Sequence, residues 1–238
     1  MIRTIDFHSH ILCGVDHGSK SRAESKSQIE LISSCGTDAV VATSHFYPDK
    51  HRVEDFIEAV ACSKDKIAGL DFDCRPLDIY IGAEVLVCQG LEDLQGLDRL
   101  CVKGTNCLLL EMPTFSNWSR GHKDSVESII HRGYSVVLAH IDRYIDKYER
   151  DIDDLISMGA AVQINASAFS RFALKRKMRS YIDAGCVCVV GSDLHGTEQK
   201  RYRSFAELKS RLGKERFEVV MRNSQELLKN AEPMPIAK

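Results

Sequence analysis

What most constrains this chain is a recurrence. Short aliphatic runs of strand length, apolar on both faces, alternate with stretches of helical periodicity. Seven such runs are read, at Ile2–His8, Ala39–Thr43, Leu77–Gly82, Asn106–Glu111, Ser135–Ala139, Ala160–Ile164 and Cys186–Gly191. A strand without a polar face is covered on both sides, the condition of a parallel sheet wrapped in helices. Between the runs, Phe56, Ile57, Val60 and Ala61 fall at helical spacing within Glu54–Ile67, and Ser125–Arg132 and Asp151–Met158 read similarly. Two more helices, near Ser204–Leu212 and Glu215–Asn230, close the chain. No linker, low-complexity tract or repeat divides it, so residues 1–238 read as a single domain with its core between 2 and 230. The pattern predicts an α/β fold, a distorted, TIM-like (β/α)7 barrel, with a doubly wound open sheet as the alternative.

Composition removes several classes. No apolar run approaches the ~20 residues of a membrane span, and no basic segment followed by an apolar one marks a secretory signal. A formal charge of −2 gives no general pull toward nucleic acid or anionic lipid. The nine cysteines form no C-x-x-C pair, and Cys107, Cys186 and Cys188 sit in apolar runs. Such thiols suit a reducing cytoplasm better than a disulfide framework.

The strand ends carry the chemistry. The first leads into Asp6-Phe7-His8-Ser9-His10, the second into His45, the third into Glu84 and the fourth ends at Glu111. The fifth runs to His140 and the seventh to Asp193-Leu194-His195. In a β/α barrel these ends converge on one mouth, so six of seven strands deliver a metal-type ligand to one place. Alternate residues of an extended strand point the same way, which lets His8 and His10 grip one ion and predicts the same of Asp193 and His195. Imidazole and carboxylate without cysteine pairs suit Zn, Mn or Fe in open coordination. Eight or nine ligands exceed one ion and fit two or three divalent metals bridged by carboxylates, an arrangement that clamps a phosphoryl group.

These segments, together with Thr43-Ser44-His45, Gly82-Ala83-Glu84, Leu110-Glu111 and Ala139-His140-Ile141-Asp142-Arg143-Tyr144, resemble the polymerase-and-histidinol-phosphatase (PHP) superfamily. Within it they are most similar to the bacterial manganese-dependent protein-tyrosine phosphatases of capsule and exopolysaccharide operons, from about Ile5 to Leu228. Val15-Asp16-His17-Gly18-Ser19-Lys20-Ser21 resembles that subfamily's V-D-D-G-x-K-S run, with His17 in place of the second Asp, a family ligand. Ligation passes to His17 or, alternatively, to Asp16.

The resemblance implies a trinuclear site, most plainly of Mn, with Fe or Zn as alternatives. His8, His10, Glu84 and Asp193 hold the first metal. Glu84 bridges to a second held by Glu111 and His140, with Glu111 as an alternative bridge. His17, His45 and His195 hold the third. Arg143 matches a family arginine that binds substrate phosphate. A second family arginine follows the Asp-x-His motif and is assigned to Arg201, with Lys200 and Arg203 as the alternatives in register. The implied activity is hydrolysis of phosphotyrosine by metal-activated hydroxide, on a tyrosine kinase that controls polysaccharide export. The same site also suits histidinol phosphate, another small phosphomonoester or a nucleic-acid end. Amidohydrolases share the His-x-His start but use a different fourth-strand bridge and lack the counterpart of Glu84. A binding protein that has lost catalysis is the non-enzymatic reading.

Other nucleophile signatures are missing. No cysteine begins a C-x5-R phosphate loop, and neither Gly-x-Ser-x-Gly nor a P-loop occurs. His51, His122 and His131 lie away from the strand ends and read as solvated, as does the basic run Lys175–Arg179. Phe46, Tyr47, Phe115 and Trp118 follow ligands and are candidates for the wall of an aromatic-ester pocket.

Overall fold

The computed structural model describes residues 2–114, 116–197 and 199–234, with the side chains of residues 199–201 outside that description. Its strands are β1 Ile5–His10, β2 Ala39–Phe46, β3 Asp78–Leu86, β4 Cys107–Glu111, β5 Ser135–Leu138, β6 Ala161–Asn165, β7 Cys188–Gly191 and the two-residue β8 Leu194–His195. The helices are α1 Arg22–Ser34, α2 Val53–Ala68, α3 Arg120–His131, α4 Ile145–Ser157, α5 Phe172–Asp183, α6 Gln199–Ala206, α7 Leu208–Leu212 and α8 Lys214–Leu227.

All strand pairings are parallel, in the order β7-β6-β5-β4-β3-β2-β1-β8. From β1 to β7, neighbours in sequence are neighbours in space, so each crossover turns the same way and curls the sheet. β1, β2, β4, β6 and β7 are buried along their whole length, so neither face of these strands meets solvent. Their apolar side chains join those of the surrounding helices in one core cluster.

Eight strands stand where the sequence predicted seven, because the chain after β7 re-enters the sheet beside β1 at Leu194 and His195. The two ends of the sheet meet closely. The Asp193 N–H donates to the His8 carbonyl at 2.8 Å, and the Ser192 N–H to Asp6 Oδ1 at 2.8 Å. Gly191 permits this approach. A Cβ there would lie 2.4 Å from His8 Cβ and 2.8 Å from His8 N.

The functional ends of the strands run further than predicted. β1 continues to His10, β2 past His45 and β3 past Glu84. These polar residues remain in the ladder because their neighbours pair with them, and the register sets His45 opposite Glu84 and His10 opposite His195. No α-helix links β3 to β4. Two 3-10 turns, Leu91–Asp93 and Leu97–Leu100, replace it. Among the described residues, no helix is long and apolar enough to cross a membrane.

Candidate metal centre

At the C-terminal end of the sheet, three imidazole nitrogens converge on one oxygen. Glu84 Oε2 lies 3.1 Å from His8 Nε2, 3.3 Å from His10 Nε2 and 3.1 Å from His45 Nδ1. The two nitrogens of His8 and His10 face each other at 3.1 Å, as the strand period predicts. Asp193 Oδ1 is 3.8 Å from His8 Nε2 and 3.5 Å from His10 Nε2. The other Glu84 oxygen, Oε1, is 2.8 Å from His140 Nε2, and Glu111 approaches His140 at 3.4 Å and His45 at 3.7 Å. Three sets of donor atoms lie close enough to share an ion: His8–His10–Glu84, His45–Glu84–Glu111 and His10–His45–His195.

His17 is exposed at the rim, its ring stacked 4.7 Å from that of His45 and 4.8 Å from that of His195. Asp16 has a different task. Its Oδ2 accepts from His10 Nδ1 and from the His45 N–H, both at 2.8 Å, and its Oδ1 accepts from the Gly18 N–H at 2.9 Å. This fixes His10 with Nδ1 protonated and Nε2 toward the cluster. Gly18 must be bare, since a Cβ would lie 2.3 Å from His10 Cβ.

Asp193 and His195 do not repeat the strand geometry predicted for them. Asp193 has φ +52° and His140 φ +32°, and they are the two non-glycine residues with positive φ among the described residues. Such conformations cost about 1–3 kcal/mol each and concentrate at functional sites. Here they turn both side chains back into the mouth, with His195 Nδ1 3.4 Å from Asp193 Oδ1.

The electrostatics fit cations. Burial opposes the charge of Glu84 and of Asp193, yet surrounding histidines hold both carboxyls well below their ordinary range, with Arg143 adding to the effect on Asp193. Burial lowers His45 to about 4; it does the same for His195, helped by nearby His10, so both are neutral donors at pH 7. His140 resists burial through Glu111 and Glu84 and is lifted to about 9. Buried nitrogens His140 Nδ1 and His195 Nε2 have no hydrogen-bond partner, and His45 Nδ1 makes none in spite of its closeness to Glu84. Nitrogens that face one another around shared carboxylates, some without a hydrogen bond, are what divalent ions would satisfy.

Arg143 lies in a 3-10 turn after His140, and its guanidinium is ion-paired with Asp193 Oδ2. It therefore reaches the mouth, where it touches a member of the cluster. Of the second-arginine candidates, Arg203 is exposed and bonded to Glu207 at 2.9 Å, facing its own helix. The side chains of Lys200 and Arg201 lie outside the described residues.

The aromatic wall is redistributed. Phe46 is fully buried against Phe56 and belongs to the core. Tyr47 stacks on His45 at 5.3 Å and stays at the rim. Trp118 lies parallel on Tyr148 at 4.1 Å, next to Tyr144, whose ring is 5.5 Å from His140. Phe115 lies outside the described residues. His131 is exposed, while His122 caps α3 and His51 accepts from the Tyr47 N–H.

All nine cysteines are free thiols, and none belongs to a candidate metal set among the described residues. Burial pushes Cys101 up to about 12 and raises Cys107 and Cys188 as well, which removes their nucleophilic thiolates at neutral pH. Replacing all nine with Ala or Ser is expected to leave turnover of the folded protein within about threefold of the parent, while the thermal midpoint falls. Loss of turnover traced to one cysteine, with metals retained, contradicts this.

A curled parallel sheet with an imidazole–carboxylate cluster at its C-terminal mouth is the framework of a metal-dependent hydrolase. The chain belongs to the CpsB/CapC family of capsular polysaccharide synthesis, whose family model matches residues 4–229. The tyrosine-protein phosphatase CpsB of Streptococcus pneumoniae is 29% identical over 213 residues, 82% of this chain and 84% of the relative. A chain from crystal structures of YwqE of Bacillus subtilis and CpsB of S. pneumoniae, described as unique metal-dependent tyrosine phosphatases, superimposes with TM-score 0.75 at 23% identity, covering 99% of this chain and 100% of that one. The histidinol phosphate phosphatase of Lactococcus lactis, solved with zinc, L-histidinol and phosphate, shares the fold with TM-score 0.57 at 10% identity, covering 90% and 94%.

Proposed function

We propose that this protein is a metal-dependent protein-tyrosine phosphatase, its residues 1–238 acting as one domain built on a distorted (β/α)7 PHP barrel. The observation that carries this reading is the convergence of His8, His10 and His45 on Glu84 Oε2, in a family whose curated relatives are named tyrosine-protein phosphatases. In this proposal His8, His10, Glu84 and Asp193 hold one ion, and Glu84, Glu111 and His140 a second. His45, His195 and rim residue His17 hold a third. His10 is assigned to the first set because its Nε2 faces His8 Nε2 and Glu84 Oε2, although it also lies within reach of His45 and His195. Asp16 is assigned to orienting His10, its oxygens being engaged.

Divalent ions, manganese first with iron or zinc as alternatives, would when bound supply positive charge for the phosphoryl oxygens and lower the pKa of a water. The chain's own residues do the rest. Arg143 presents a planar fork to two phosphate oxygens, and Arg201 is assigned the second phosphate contact. Asp193 holds that fork at the mouth until phosphate takes it over. Tyr47 and Tyr144 flank the cluster as surfaces against which a tyrosyl ring packs. The substrate is a phosphotyrosine protein, a cytoplasmic tyrosine kinase tail of polysaccharide export being the partner proposed.

The test is turnover on a phosphotyrosine peptide beside histidinol phosphate and a 5′-phosphorylated oligonucleotide. A kcat/KM at least about tenfold higher for the peptide supports the assignment. Preference for histidinol phosphate or the oligonucleotide replaces it with a different phosphoesterase.

A further inference from the structure

One strand brings no ionisable ligand to the mouth. β6 reads Ala161-Val-Gln-Ile-Asn165, fully buried except for slight exposure of Asn165, and its two amides face the cluster. Gln163 Oε1 is 3.1 Å from His8 Nδ1 and 2.5 Å from the backbone nitrogen of His140. Gln163 Nε2 is 3.0 Å from Asn165 Oδ1, and Asn165 Nδ2 is 3.4 Å from Asp193 Oδ2. Gly191 leaves the room: a Cβ there would lie 3.0 Å from Gln163 Nε2.

We infer that Gln163 and Asn165 are positioning residues, a relay of amides that sets the tautomer of His8 and the orientation of His140 and Asp193 for metal binding. The inference rests on the reading of those three as ligands.

Amide orientation is ordinarily a matter of assignment, but here both ends of the chain dictate it. A backbone N–H only donates, so the Gln163 atom facing His140 N must be oxygen. That oxygen also faces His8 Nδ1, which must then carry a proton and donate. His8 is left with its Nε2 lone pair aimed at His10 and Glu84. At the far end a carboxylate only accepts, so Asn165 must offer its NH2 to Asp193 and its oxygen to Gln163. Both ends demand the same polarity. The bond to His140 N also restrains one of the two positive-φ residues, and Asn165 acts on the other.

The alternative is a pair of buried amides that merely satisfy each other. Chelator competition distinguishes the two by measuring Mn2+ affinity of the parent, Gln163→Leu, Gln163→Glu and Asn165→Leu. Gln163→Leu should bind about 10–100-fold more weakly, the usual effect of removing an outer partner of a ligand. Gln163→Glu keeps an oxygen for His8 and for the His140 N–H but sets its second oxygen against Asn165 Oδ1, so it should recover only part of that loss. Asn165→Leu should show a smaller loss, since Gln163 still meets His8 and His140 directly. In the Zn2+-loaded parent, long-range 1H–15N spectra should show the His8 ring proton on Nδ1, and this reading does not depend on whether Gln163→Leu folds. Parental affinity in Gln163→Leu or in Asn165→Leu, or a metal on His8 Nδ1, overturns the relay. A parent that binds neither ion overturns the metal-site reading itself, and the relay with it.

Discussion

His10→Ala is expected to lower metal occupancy directly and to cut phosphatase turnover by roughly 10³-fold or more, since several kcal/mol of charge stabilisation leave with the ion. The His10 side chain is held from several sides. His10 faces His8, Glu84 and Asp193 through Nε2 and Asp16 through Nδ1, and lies against the rings of His45 and His195. Burial disfavours its charge, but Asp16, Asp193 and Glu84 raise its pKa well above the ordinary range, so a proton competes with metal there. Asp193→Ala should also lose metal. Metal content by elemental analysis, beside phosphopeptide kinetics, checks both. A His10→Ala protein with full metal and parental turnover removes the residue from the centre.

Arg143→Ala should separate phosphate binding from metal assembly. Turnover is expected to fall by about 10²-fold or more, the scale of one lost charge contact in the transition state. Metal content should fall far less than in His10→Ala. Asp193 loses its guanidinium partner, but it still has Asn165, His8 and His10 nearby. Arg143→Lys should recover little, because an ammonium cannot reproduce the two-pronged contact. Parental kinetics in Arg143→Ala remove the phosphate assignment. A metal loss equal to that of His10→Ala makes the arginine a brace for Asp193 instead.

The clustering of candidate ligands was legible because histidine and carboxylate kept phase with the strands, a signal that survives errors in strand bounds. His45 and Glu84 were read as following their strands and in fact lie within them, yet both reach the mouth. The left-handed turns at His140 and Asp193 were not legible, since no glycine or asparagine marks them and neighbouring backbone imposes them. α1 was missed because its buried face includes Ser25, Gln28 and Ser33 beside Ile29 and Ile32, leaving no clean apolar stripe. Gln163 and Asn165 carry no ionisable group, so the ligand pattern does not single them out. The available signal was an amide inside an otherwise apolar strand, which must find partners once buried.

The central claim is that these strand ends assemble a metal centre on which phosphotyrosine hydrolysis depends. Its most direct test is to strip the purified protein with EDTA, count residual metal, and assay a phosphotyrosine peptide before and after restoring Mn2+. The account predicts two or three ions per chain as isolated or after Mn2+ is restored, loss of turnover in step with their removal, and recovery on adding Mn2+. Full turnover in a protein that holds no metal would contradict it.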